Sequence, residues 1–272
     1  MRSTTRLAGG PGFAIDDIRV RMDAPCWTRP EATPAYRLVF VRHGVYRLRL
    51  RRWELLADPA TVYAAHAGDE QSIAHRAGAQ DTATAITLSP ELLADFVGDG
   101  KPAPAGPQFT DGRIDLAHRV LLARARRGAD DFELADRVLH LAGEVLAPQR
   151  DSARPAAARG SGAGRRMAES VREILVHDPV SLSLDGLAAK VNVSPAYLSR
   201  VFSRETGLTL TRFRNRLRVR RVLDRIEEGE TSLSSLAVEL GFADHAHLSR
   251  TVREEIGCSP SAVRVAMGTA AR

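Results

Sequence analysis

Tyr197-Leu198-Ser199-Arg200 returns, fifty positions on, as His247-Leu248-Ser249-Arg250. A Leu-Ala pair precedes each copy (Leu187-Ala188 and Leu236-Ala237) and a glycine follows each (Gly207 and Gly257). Self-similarity on this scale marks two copies of one supersecondary unit. In the first copy, Leu184 to Val191 reads as a short amphipathic helix with Leu187, Ala188 and Val191 inward. Asn192 falls where a tight turn needs a left-handed backbone, which Asn tolerates. Ser194-Pro195 then caps and opens a second helix. Leu198, Val201 and Phe202 share its inner face, and Pro195, Ala196, Ser199, Arg200, Ser203 and Arg204 point away. This is a helix-turn-helix.

The second copy repeats the logic. Leu233, Leu236, Ala237 and Leu240 face inward, and Gly241 takes the turn position of Asn192. One extra turn residue hands the capping role to Asp244. Leu248, Val252 and Ile256 form the buried stripe, leaving His245, Ala246, Ser249, Arg250 and Arg253 outward. Between the copies, Leu210, Phe213 and Leu217 lie on one helical face, and Val219, Val222, Leu223 and Ile226 on nearly the opposite one. A helix that changes its buried face halfway packs on two bodies. It is a strut of roughly 25 Å, comparable to the roughly 34 Å between successive major-groove faces on one side of B-DNA.

The rest of the chain bounds the reading. Its 272 residues suit two domains, 44% hydrophobic content supplies ordinary cores, and the net charge is +6. Most of the excess base lies in the repeat half, with 17 Lys and Arg against 13 Asp and Glu after Gly164, and 22 against 20 before. That suits a polyanionic partner. Cys26 and Cys258 are too distant in sequence to frame a disulfide scaffold or a metal site. Neither a signal peptide nor a membrane span is read, so the expected location is cytoplasmic. Residues 148–166 (PQRDSARPAAARGSGAGRR) lack apolar periodicity and read as a linker.

Upstream, Tyr36–Val41 and Val45–Leu50 around His43-Gly44 read as a hairpin. Thr61–Ala65 and Thr82–Leu88 are further strands, giving a small antiparallel sandwich or barrel. Ser89-Pro90 starts a short helix, and helices over about 114–127 and 131–146 form an antiparallel pair across Gly128-Ala129. That pair is a candidate dimer face.

The segments SPAYLSRVFSRETG, RLRVRRVLDRI and LAVELGFADHAHLSRTVREEIGCSPSAVR together resemble the AraC-type transcription regulators over about Ala168 to Arg264. Gly241-Phe242, Arg250, Gly257, Ser259-Pro260 and Arg264 stand in the family's signature region. Val222, where Ala is usual, and Leu248 and Val252, in place of phenylalanines, depart from it but stay apolar. The resemblance implies an α+β chain: a cupin-like β sandwich or barrel with a helical pair (1–147, sensor and dimerisation), the linker (148–166) and an all-α double helix-turn-helix domain (167–268).

It further implies base reading by Ala196, Ser199 and Arg200 in the first unit and by His245, Ala246, Ser249 and Arg250 in the second. Arg can grip guanine bidentately, and the alanines can touch thymine methyls. Ser194, Arg204 and Arg253 are candidate phosphate contacts; Arg212, Arg214 and Arg216 divide between phosphate contacts and surface ion pairs. The expected function is a sequence-specific transcription regulator, an activator, reading two adjacent major-groove segments. Its partners would be promoter DNA and RNA polymerase, with a small-molecule effector and a second copy of the chain as further candidates, and no membrane. No cofactor is expected. The alternative is a cupin-type metal-dependent enzyme with a helical appendage. It lacks ligand spacing: His245 and His247 point about 200° apart on a helix, and His66 and His75 read as structural or surface groups.

Overall fold

The computed structural model describes residues 1–51, 53–97, 103–147 and 162–268. Contacts within the chain divide it into two units. One comprises residues 1–110 with those from 124 onward to the linker; the other comprises 111–123 with the C-terminal helices.

The first unit holds two antiparallel sheets. Six strands run in the order β1 (Arg2–Gly10), β2 (Phe13–Met22), β9 (Ala79–Leu88), β4 (Tyr36–His43), β7 (Thr61–Ala65), β10 (Gly106–Phe109). Four run in the order β3 (Glu31–Ala32), β8 (Glu70–His75), β5 (Tyr46–Leu50), β6 (Trp53–Ala57). Val39, Val41, Tyr63, Ala83 and Ala85 of the larger sheet share one core with Tyr46, Leu48, Leu50, Leu55 and Ala57 of the smaller. Of the two expected arrangements this is the sandwich. Helices α1 (Pro90–Val97) and α3 (Asp131–Leu146) complete the unit.

The expected hairpin around His43-Gly44 is not formed. β4 pairs with β7 and β9, whereas β5 pairs with β6 and β8, so the chain crosses between sheets at this point. The reason is a residue distant in sequence. Gly44 has φ +89°, and a Cβ there would collide with the Asp81 carboxylate. The same carboxylate accepts the Val45 N–H at 3.0 Å and so holds the crossover. The true neighbour of β5 is β6, with Leu50 opposite Trp53. A hairpin of β1 and β2 across Pro11-Gly12 went unread, because its exposed β1 carries little apolar alternation.

The second unit is helical: α4 (Gly162–His177), α5 (Leu184–Lys190), α6 (Pro195–Thr206), α7 (Leu210–Glu227), α8 (Leu233–Glu239), α9 (His245–Ile256) and α10 (Pro260–Met267). It also takes most of α2 (Gly112–Arg126). This departs from the division expected at 147 and 167. Val120 of α2 joins the core formed by Val219, Leu223, Leu236, Leu248, Val252 and Val263, and Leu116 packs against it. Residues 148–161 of the expected linker lie outside the described residues. Gly162–Arg166 is helical instead, opening α4; small Gly164 is buried there, and Arg165 faces Glu169 one turn on at 3.9 Å. No helix among the described residues is long and apolar enough to cross a membrane.

Candidate nucleic-acid interface

The two repeat copies are alike in backbone as well as in sequence. Ser183 and Ser232 cap α5 and α8. Asn192 (φ +55°) and Gly241 (φ +70°) make the left-handed turns. The Val193 N–H then reaches Ala188 O at 3.1 Å, and the Phe242 N–H reaches Ala237 O at 2.8 Å. Ser194 and Asp244 cap α6 and α9, accepting from Tyr197 N at 3.3 Å and His247 N at 2.6 Å. Gly207 and Gly257 close both helices with left-handed residues. Sequence therefore fixes where each outward helix begins, how it leaves the turn and where it stops.

The inner stripes hold these helices in place. Leu198, Val201 and Phe202 are buried in the first copy, and Leu248, Val252 and Ile256 in the second. Burying each such side chain is worth about 1.5–3 kcal/mol. Strut α7 joins the copies, and at about 1.5 Å per residue its 18 residues span about 27 Å. Its face change is as expected. Phe213 meets Phe202 of the first copy edge to face at 5.5 Å, while Val219, Val222, Leu223 and Ile226 enter the core of the second.

The outward residues fall into three groups. Ala196, Arg200, His245, Ala246 and Arg250 are exposed, as are the phosphate candidates Ser194, Arg204 and Arg253. Ser199 and Ser249 are half-buried. Arg204 is already engaged, its guanidinium meeting buried Glu205 at 2.7 Å. Asp244 at the α9 cap has its carboxyl held below the ordinary range, first by the His247 backbone N–H and also by the Arg250 charge. Arg250 thus has a carboxylate near its base.

The strut arginines serve the fold. Arg214 donates to Pro179 O at 2.8 Å, Val180 O at 3.2 Å and Leu182 O, pinning the loop that leads into the first copy. Arg216 meets Glu255 at 3.4 Å. Arg212 remains exposed. Arg264, in α10, donates to Glu230 O and Thr231 O at 3.1 and 2.7 Å and fixes the approach to the second copy.

Sequence reasoning missed a supporting element. Arg119 of α2 is buried and binds Asp115 (3.2 Å), Asp224 (2.7 Å) and Glu227 (2.7 Å), while Arg220 takes the other Asp115 oxygen at 2.6 Å. Burial lowers the Arg119 affinity for its proton, but the three carboxylates more than offset this. Only the Asp115–Arg119 spacing of one helical turn hints at this in the sequence.

His247 is turned inward, its ring against Phe242 at 5.4 Å and its Nδ1 facing Ala243 N at 3.2 Å, so it is not paired with His245. His66 and His75 hold structural contacts, to Ala103 O at 3.0 Å and to Asp81 respectively. Among the described residues no three His, Cys, Asp or Glu side chains converge as a metal set.

Residues 187–266 match a family model described as a helix-turn-helix domain. The HTH-type transcriptional activator RhaS of Escherichia coli is 32% identical over 88 residues, covering 32% of this chain and 32% of that protein. RhaS of Escherichia fergusonii is 33% identical over 88 residues, with the same coverage. The chain therefore spans about a third of the length of these curated relatives. Among solved structures, ToxT from Vibrio cholerae O395 superposes with a TM-score of 0.38 at 10% identity, covering 95% of this chain and 99% of that one.

Proposed function

We propose that this chain is a transcription regulator of the AraC type, gripping promoter DNA at two adjacent major-groove segments. Its C-terminal body is a double helix-turn-helix domain of that type. One observation carries the reading: α6 and α9, each capped and turned alike, expose matching faces from the two ends of a single strut. Arg200 and Arg250 read guanine edges, and Ala196 and Ala246 contact thymine methyls. Ser199, His245 and Ser249 supply further base-edge hydrogen bonds. Ser194, Arg204 and Arg253 bind flanking phosphates, Arg204 by sharing its charge with Glu205.

The sheet unit acts as the sensor, shifting the population of DNA-bound protein when a small effector occupies it. RNA polymerase is the partner that reads out binding, in the activating direction that the relatives' printed name gives for them. A second copy of the chain completes the assembly on DNA. Gel-shift titration against the DNA upstream of the chain's own gene tests the reading. Saturable, competitor-resistant binding supports it, and binding no tighter than to random duplex overturns it.

A further inference from the structure

Between the two sheets lies a cleft that opens to solvent. Ile18, Val20 and Met22 of β2 with Val39 and Ile73 give it an apolar lining. The three β2 residues are only half-buried, so their side chains stay partly open to the cleft, with Ile18 also packing against the shared core.

Three polar features punctuate that lining. His75 and Asp81 satisfy each other, and Tyr46 and Tyr63 share a hydrogen bond. Arg2 at the mouth is paired with Glu31 at 2.8 Å. Arg37 and Gln71 are different. The Arg37 Nε is wholly buried without a hydrogen-bond partner, and so is the Oε1 of Gln71, a residue 6% exposed. Arg37 forms no ion pair within 4.0 Å among the described residues, and burial depresses its affinity for its proton. Asp16 and Glu31 act on Arg37 only from beyond ion-pair distance, which leaves its guanidinium able to take a carboxylate in a charge-assisted pair. Native interiors rarely leave such groups unmet.

We propose that this cleft binds a small monocarboxylic acid with a compact apolar body. The carboxylate lies against the Arg37 guanidinium, and the body lies against Ile18, Val20, Met22 and Ile73. This deepens, and rests on, the reading of the sheet unit as a sensor. The Arg37 guanidinium at the polar end disfavours a cationic head group there.

The test titrates the full chain, without DNA, with benzoate and with hexanoate, a ring and a chain of similar size, by calorimetry. Benzamide and benzylamine serve as neutral and cationic counterparts. Saturable binding of at least one acid is expected, with benzamide weaker by about tenfold or more and benzylamine not binding. Arg37→Gln should lower acid affinity by about tenfold or more while circular dichroism and DNA affinity stay unchanged, and Arg37→Lys should retain part of it. Absence of binding by both acids up to about 5 mM overturns the proposal, as does equal affinity for benzoate and benzamide, or an Arg37→Gln variant that binds the acids as the parent does. Because binding is read without DNA, loss of this proposal leaves the DNA-binding reading to stand or fall by its own gel shift.

Discussion

Replacing Arg119 by Met keeps much of the side chain's apolar stem in place and removes its charge. Two of the lost partners, Asp224 and Glu227, are 50% and 31% exposed at the side chain. Such pairs are worth about 0.2–1 kcal/mol each. Asp115 is only 3% exposed and dominates the cost. Breaking a buried pair by deleting one partner ordinarily costs about 3–5 kcal/mol, but Arg220 still holds Asp115 at 2.6 Å. We therefore expect a loss of about 2–3 kcal/mol, borne by the helical unit, or about 1 M in urea midpoint at a typical m-value. The chain offers a clean readout. Its two tryptophans, Trp27 and Trp53, both lie in the sheet unit, so their fluorescence reports that unit, while ellipticity at helical wavelengths reports chiefly the other. Urea titration of the Met variant should move the helical transition and leave the tryptophan transition nearly in place. A shift confined to the tryptophan signal would refute the assignment of α2 to the helical unit. An added Asp115→Asn change should cost much less in the Met background than alone in the parent chain.

Two further perturbations bear on the turn and on the loop before it. Asn192→Ala removes the short polar side chain whose local hydrogen bonding makes the left-handed turn at φ +55° tolerable and should cost about 1 kcal/mol, whereas Asn192→Gly, which has no β-carbon, should be tolerated; thermal unfolding followed by circular dichroism separates them. Asp178 accepts the Val180 and Ser181 N–H groups, both at 2.9 Å, and the Ser181 hydroxyl and these amides pull its carboxyl down to about 2. Since the folded value lies below the ordinary 3.8, this stabilisation is full above that value and is lost as pH falls through about 2. The stability gap between the parent chain and Asp178→Asn should therefore close on acidification over that window, and a gap independent of pH would contradict the assigned role.

The C-terminal body was legible in the sequence because its determinants are local. Capping residues, left-handed turn residues and apolar spacing each act within a few positions, and a doubled motif lets one copy check the other. The opposed faces of Leu210–Leu217 and Val219–Ile226 predicted the strut's two neighbours for the same reason. What escaped depends on distant partners. His43-Gly44 has the composition of a hairpin turn, and only the approach of Asp81 from β9 turns it into a crossover. The charges on Arg119 and Asp115 look like surface helix residues until Asp224, Glu227 and Arg220 meet them. Likewise the sequence leaves the strut arginines divided between phosphate contacts and surface ion pairs, and only the fold shows Arg214 occupied by loop carbonyls and Arg216 by Glu255. Arg37 looks like any strand arginine in sequence, and only the fold leaves its Nε buried without a partner beside a cleft.

Methylation protection of guanine N7 on a bound promoter reads directly whether the two matched helices meet successive turns of one duplex. Two protected clusters are expected one helical turn, ~10 base pairs, apart, with Arg200→Ala erasing one and Arg250→Ala the other. A single cluster, or both clusters persisting in both variants, would contradict it.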